Sequence, residues 1–591
     1  MRSPMWAAGL VAALALGLRL IHVFAMASSP FFEAPAVDAG TYAEHAARLA
    51  AGDWLGRGEG PFWQPPLYPY FLGAVRWLFP DSFFYAARIV QACIGTLTCV
   101  LLFALGRRLT GPGIAWAAAL GAAVYGPLIH FDARLLPVGL ATFLLLAGMG
   151  LVWSARRREG AVRSLAAGFV LGLASITVAT ILLLVPTAAL WLARGRGGER
   201  RWLQAAALLV GAALAVAPVS WRNWTVGGGA VLISYNGGIN FYIGNNAEFE
   251  KTLSARPGWE WERLAGRAFE EGALRPSQRS SFFYGQAFDY MRRAPWDFAA
   301  LQLRKAAQFW RGDEIERNQE IYYWRKYSSV LAASLWKWGV AFPFGLVGPL
   351  ALLGLGLCLC RRQDLLLPGF VVVFSLGVSA FFVVARYRLP LVPLLLLLAA
   401  YGGHWLYGRC VRGGRPGAAS ALIALLLLVA ANWGLPPMDM RGRAATHSDL
   451  GNVYLRQGRY DMALLKYRQA VQRDPDYWQA QFNLGSIHAM QGDAATALPF
   501  FQKVVRHHPE RAEAWSNLAG AYNVLGDEAR AVGALERALE RAEPHPGVYA
   551  ELIRLYVARG ATAEADALYH RALWDFPDDG RLGALHEAIK H

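Results

Sequence analysis

Several short strings in this chain hold the residue types that acid–base and anion-binding chemistry require. The first, Val37 to Tyr42 (VDAGTY), opens with the carboxylate of Asp38, and Tyr42, His45 and Leu49 follow it at helical spacing. That spacing predicts an amphipathic helix headed by Asp38, which could cap the first turn, as could Thr41 and Glu44 in a capping box. A capping carboxylate is also a held one. The second string, WQPPLYPY from Trp63 to Tyr70, sets Gln64, Tyr68 and Tyr70 around Pro65 and Pro66, which fix an extended turn. In the third, HFDAR, a structural Asp132–Arg134 pair is as compatible with the spacing as a second catalytic acid beside His130. The fourth, ARYRLPLVP, brings Arg386, Tyr387 and Arg388 to a helix mouth, and Arg222 follows another apolar run. These guanidinium groups suit a phosphate ligand, or lipid headgroups reached by snorkelling. Finally, Tyr235 and the run NGGINFYIGNN supply Asn236, Asn240, Tyr242, Asn245 and Asn246. The amides could hydrogen-bond hydroxyls and the rings could stack, or the run could be turn chemistry alone.

The elements that must position these groups follow from hydropathy. With 591 residues, 55% of them hydrophobic, 22 Trp and only 17% charged, the chain is too apolar for an ordinary soluble protein and long enough for two domains. Its net charge of +16 is not a nucleic-acid footprint, because much of the surplus Arg sits in short clusters between apolar runs. About eleven spans are expected, near 5–26, 83–106, 113–130, 136–154, 164–178, 180–194, 203–220, 341–360, 365–384, 389–409 and 418–433. Read as a re-entrant pair of half-length helices broken near Thr177 to Thr180, 164–194 puts five Arg clusters on one side. These are Arg107/Arg108, Arg156/Arg157/Arg158/Arg163, Arg194/Arg196/Arg200/Arg201, Arg361/Arg362 and Arg409/Arg412/Arg415. The positive-inside rule then predicts a bacterial-type inner (plasma) membrane protein with a cytoplasmic N-terminus, Met5 to Met26 being kept as a span rather than cleaved.

Residues 1–435 form the expected membrane domain, with 27–82, 131–135 and 221–340 outside together with everything after about 435. In the large outer loop, the alternation from Trp221 to Asn246 reads as a short strand and hairpin. Residues 260–335 read as amphipathic, Trp-rich helices folding back on the membrane face. The five cysteines, Cys93, Cys99, Cys358, Cys360 and Cys410, imply no disulfide framework outside. No cofactor is demanded. A divalent metal stays open only through scattered candidates such as His45 with Glu44 or Glu59.

Residues 445–591 carry a period of 34. Gly458, Gly492, Gly526 and Gly560 recur with Ala463, Ala497, Ala531 and Ala565, with Leu450, Leu484, Leu518 and Leu552, and with Tyr454, His488, Tyr522 and Tyr556. Pro475, Pro509 and Pro577 keep the register and Pro544 falls one residue late. This is the tetratricopeptide period, and four repeats stack into a short α-solenoid whose concave face suits a protein partner.

VDAGTY, then PPLYPYFLG, then AARIVQACIGTLTCVLLFALGRRLTG resemble the GT-C superfamily of integral-membrane glycosyltransferases over roughly residues 5–410. The branch is that of protein O-mannosyltransferases and the aminoarabinose transferase acting on lipid A. The resemblance implies a mainly α fold: a polytopic GT-C-like membrane domain with a small extracytoplasmic α/β loop region, here followed by the solenoid. It also implies transfer of a sugar from a polyprenyl-phosphate carrier to an extracytoplasmic acceptor, a protein or a glycolipid, with Asp38 near the acceptor and Tyr42 as the family's following Tyr. Four positions depart from the family pattern: Ala39 stands where Glu is frequent, Thr41 where Arg is, Gln64 where a phosphate-contacting Lys is, and Leu136 where an acid precedes Pro137. Asp132 is its nearest substitute.

Single displacement from a lipid phosphate needs a base on one face of the sugar and charge-accepting groups on the other. Asp38 and Asp132 are the candidate catalytic acids, and Arg386, Arg388, Arg222 and Arg134 the candidate phosphate ligands. Tyr42, Gln64, Tyr68, Tyr235, Asn240 and Asn245 are the candidate substrate contacts. Two other classes compete. A GT-C-like scaffold for envelope or polysaccharide assembly, without catalysis, would act through its repeats. A lipid-sugar transporter would show internal repeats in the membrane half, and none is visible.

Overall fold

The computed structural model describes residues 4–582 and 585, except 59, 159, 196–197, 256–258, 316, 318–319, 362–364, 413, 437–442, 543–544, 577–578 and 580–581, with backbone only for 4, 259 and 414–416. Glu59, Arg196, Arg362, Pro544 and Pro577, and the side chain of Arg415, therefore lie outside the described residues. The chain divides into two compact units, Met1–Met440 and Arg441–His591.

Among the described residues of the first unit, five helices are long and apolar enough to cross a membrane: Met5–Met26, Phe83–Leu109, Val138–Arg158, Arg200–Thr225 and Ala385–Arg412. The bent pair Pro112–Val124 and Gly126–Asp132 is long and apolar enough only when taken together, and its halves meet at 54° where Pro127 can neither donate to the preceding turn nor fit inside it. The shorter apolar helices are Ala161–Ser175, Ala179–Ala193, Phe344–Cys360, Leu366–Ala380 and Gly417–Asn432, so every expected span has a helical counterpart. The break expected near Thr177 to Thr180 is present. Helix Ala161–Ser175 ends there, and a 3-10 turn, Ala179–Leu183, leads into Leu184–Ala193.

The hairpin expected between Trp221 and Asn246 is not what forms. The preceding helix runs on to Thr225, and Gly237–Gly244 is a second helix. Ile239, Tyr242 and Ile243 explain the difference, because they sit at i, i+3 and i+4 and are all buried against Phe249, Phe283 and Phe382. The buried face has helical period, and Asn236 opens a turn that continues as helix. The two strands present among the described residues lie elsewhere, Trp336–Trp338 antiparallel to Val340–Phe342, with Trp336 opposite Phe342. Helices Phe249–Ser254, Trp259–Glu270, Pro276–Arg293, Pro295–Trp310 and Ser329–Ser334, with a 3-10 turn at Ile321–Lys326, make up most of the rest of the large loop. Lys305 pins them: its buried Nζ donates to the carbonyls of Gly244 and Phe381 and to Asn245 Oδ1, at 2.9–3.0 Å. Burial pushes its pKa down to about 7.

The second unit is a stack of four helix pairs, from Ala444–Arg456 with Tyr460–Arg473 to Pro546–Ala558 with Thr562–Asp575. Ala463, Ala497, Ala531 and Ala565 are fully buried where paired helices touch. The turn glycines Gly458, Gly492, Gly526 and Gly560 all have φ between +71° and +80°, a region that side chains disfavour.

Candidate active site

Asp38 occupies the first turn of helix Asp38–Ala50, where the exposed N–H groups favour a negative charge. The residue before it, Val37, has φ 57°, a conformation rare for a β-branched residue and worth roughly 1–3 kcal/mol of strain. That strained junction aims the carboxylate at Arg386, whose Nη1 donates to Asp38 Oδ2 at 2.5 Å across 348 residues of chain. The pair is partly open, the two side chains being 21% and 28% exposed.

Asp38 and Arg386 line a cavity of 620 Å³. Tyr42, Gln64, Asn240 and Tyr387 line it with them. The rest of its lining is mostly apolar, from Leu136 to Val138, Val378, Phe381 and the broken helix between Thr177 and Pro186, with Thr177, Thr180, Ser234, Asn236 and Tyr284 as the polar exceptions. Leu183 lines this space and is 44% exposed. Tyr42 is buried edge-on against Tyr68, with ring centroids 5.1 Å apart, and burial pushes its hydroxyl pKa up so that it stays protonated. Tyr68 acts behind the wall, donating to Gln91 Oε1 at 2.6 Å, while Gln91 Nε2 donates to the carbonyls of Asp132 and Arg134.

A second, much smaller chamber of 50 Å³ shares Asp38, Leu136 and Arg386 with the large one. Its remaining walls include His130, Arg134, Arg317 and Trp324, and the Arg134 guanidinium lies 4.7 Å from the Trp324 ring centre.

Several expected site residues are placed elsewhere. Asp132 does not reach either chamber; it is buried against Arg19 in the first span at 2.8 Å, and its position depends on two glycines. A Cβ at Gly95 would strike this ion pair, and one at Gly139 would strike the carboxylate. Neither does Asp132 pair with Arg134, as one reading of HFDAR supposed. Arg388 is turned inward, its guanidinium 2.8 Å from Glu314 and donating to the carbonyls of Phe309, Arg311 and Asp313. Arg222 spends its donors on the carbonyls of Leu55, Gly56 and Gly60 and ties down the first outer loop. Asn245 is buried, donating to Phe241 and Ala380 carbonyls and accepting from Gln302 and Lys305. Tyr235 packs edge-on against Trp63 at 4.8 Å, outside the cavity. Among the described residues no three His, Cys, Asp or Glu side chains converge as metal ligands. His45 lines a separate pocket with Arg48, Asp53 and Arg222.

Trp324 and Arg317 belong to a loop that displays no motif, and Arg19 lies in an otherwise apolar run without one. An arginine at such depth demands a partner, and that demand was the available signal for Asp132.

Residues 63–224 match the family model of dolichyl-phosphate-mannose-protein mannosyltransferases, and residues 448–506 and 497–546 match that of the tetratricopeptide repeat. No curated protein matches the chain. Among solved structures, the chain is similar to the MamA protein (22% identity, 24% of this chain and 81% of that one, TM-score 0.22). MamA from Desulfovibrio magneticus (17%, 30% and 95%, TM-score 0.22) and a thermophilic TPR protein of Thermus thermophilus (22%, 32% and 97%, TM-score 0.22) are also similar. The matched segment 63–224 runs from WQPPLYPY through the helix that ends at Thr225. The chain thus combines several helices long and apolar enough to cross a membrane, a segment similar to a family of GT-C-type membrane glycosyltransferases, and tetratricopeptide repeats.

Proposed function

We propose that this membrane glycosyltransferase moves a sugar from a polyprenyl-phosphate carrier to a hydroxyl of an extracytoplasmic protein or glycolipid, by single displacement. One observation carries the reading: a 620 Å³ cavity with a mostly apolar lining has a carboxylate–guanidinium pair in its wall. A prenyl tail needs such a groove, and a phosphate with its sugar needs such a pair.

The large cavity receives the carrier, its tail along the broken helix and its phosphate at Arg386. Asp38 accepts the proton of the acceptor hydroxyl as that oxygen bonds to the anomeric carbon. The bond from that carbon to the phosphate oxygen breaks, and its electron pair leaves on the phosphate, where Arg386 meets the charge. Tyr42, Gln64 and Asn240 are hydrogen-bonding contacts for the sugar, and Gln64 fills with a neutral amide the position where the resembled family frequently has Lys. The orientation follows from the Arg clusters: Asp38 and the repeats face away from the cytoplasm, and the repeats recruit the acceptor protein or an assembly partner. A scaffold without catalysis would have no use for a charged pair lining a lipid-sized cavity.

Purified full-length protein, supplied with polyprenyl-phosphate sugars and membrane acceptors, should transfer sugar, and Asp38→Asn should lower kcat by about 10²–10⁴-fold. Undiminished transfer by the variant would remove Asp38 from this role. Absence of transfer with every donor would favour the scaffold.

A further inference from the structure

We infer that His130 binds the acceptor hydroxyl, from within the small chamber that shares the Asp38–Arg386 pair with the large cavity. The inference rests on the transfer reading and extends it to the second substrate.

Single displacement requires the nucleophile and the leaving phosphate to approach the sugar from opposite faces. The structure offers two spaces that share Asp38, Leu136 and Arg386 in their walls. The larger is mostly apolar and fits the carrier. The smaller has room for one small group, and among its largely apolar lining stand an imidazole, an indole, guanidinium groups and the Asp38 carboxylate, which suit a polar one. With the carrier in the first, the incoming hydroxyl has the second.

Within that chamber His130 has the chemistry the hydroxyl needs. The residue is 2% exposed, and its Nδ1 has no hydrogen-bond partner among the described residues. A buried polar atom without a partner is unfavourable, and such atoms persist where a ligand completes them. The ring is held from behind and at its side. His22 meets it edge-on with centroids 5.5 Å apart, and His22 is itself fixed by Ser328 Oγ at 2.7 Å from its Nδ1. Trp324 flanks it at 5.8 Å. In the resulting arrangement the hydroxyl donates its proton to Asp38 and its oxygen accepts an N–H from His130. That leaves one lone pair directed at the anomeric carbon. His22 and Ser328 are positioning residues, since they act through the ring.

The test compares wild-type, His130→Ala and His130→Gln full-length proteins in lipid nanodiscs, with a polyprenyl-phosphate sugar as donor. Transfer to the acceptor and slow hydrolysis of the donor by water are measured side by side. His130→Ala should raise the acceptor KM about tenfold, the size of one lost hydrogen bond, with donor KM unchanged. His130→Gln, which keeps an N–H, should recover most of that loss. If wild type transfers sugar and His130→Ala keeps the acceptor KM, or loses donor affinity equally, the role assigned to His130 is wrong while the transfer reading stands. If wild type neither transfers nor hydrolyses any donor, both fall.

Discussion

Two arginines one residue apart have opposite fates, and the reason is helical geometry. Ala385–Arg388 is a helical turn, in which positions i and i+2 point to opposite sides. Arg386 therefore faces the cavity and Asp38, and Arg388 faces the interior and Glu314. The residue types were legible in ARYR; which arginine met which acid was not, because both partners are far away in sequence. Asp38 itself was legible, since the spacing of Tyr42, His45 and Leu49 marks a helix that it must begin. Asp132 was legible as an acid at a helix mouth and misleading as a catalyst, because Arg19 claims it from another span. Removing one partner of a buried pair leaves the other charge stranded at about 3–5 kcal/mol. Asp132→Ala should accordingly lower the thermal stability of the purified protein steeply, measured by fluorescence-detected unfolding in detergent. Any correctly folded fraction should turn over normally. A stable, folded but inactive variant would return Asp132 to the chemistry.

At the scale of elements, the broken helix matters most. Thr177 and Thr180 marked a break in hydropathy, and parity of the Arg clusters required it, yet its use as a cavity wall was hidden because the facing groups come from Gln64, Leu232 and Phe381. The expected hairpin failed on period: Ile239, Tyr242 and Ile243 bury a helical stripe, and the Asn-Gly pair that suggested a strand turn serves as a helix start. Leu182 lines the apolar part of the cavity. Leu182→Trp should obstruct a long prenyl tail and spare a short one, raising the KM of a long-chain donor severalfold relative to a short-chain analogue. Equal effects on both donors would mean that the tail takes another route.

At the scale of the whole molecule, the two units were the most legible feature, because a 34-residue period and a run of apolar segments survive without knowledge of any contact. The repeat unit has cores of its own, such as that joining Phe501, Trp515, Leu518 and Leu535. Its turn glycines carry conformational demand alone, since a Cβ at Gly492 meets nothing within 4 Å while φ is +80°. Gly492→Ala should cost about 1 kcal/mol. Hydrogen exchange in the full chain should show faster exchange in Trp478–Met490 and Ala494–His507, with the membrane helices unaffected; unchanged exchange would mean the turn tolerates the side chain.

Leu183 both lines the large cavity and is 44% exposed, at the start of an apolar helix; in the transfer reading the lipid carrier enters by a mouth beside it. A carrier arriving by that mouth is sampled from a two-dimensional solution. Its effective concentration is a mole fraction among the surrounding phospholipids, and no amount of it in the bulk phase changes that. Turnover should fall when the carrier is thinned with inert lipid at constant total amount, and hold steady when vesicles of fixed composition are diluted in buffer.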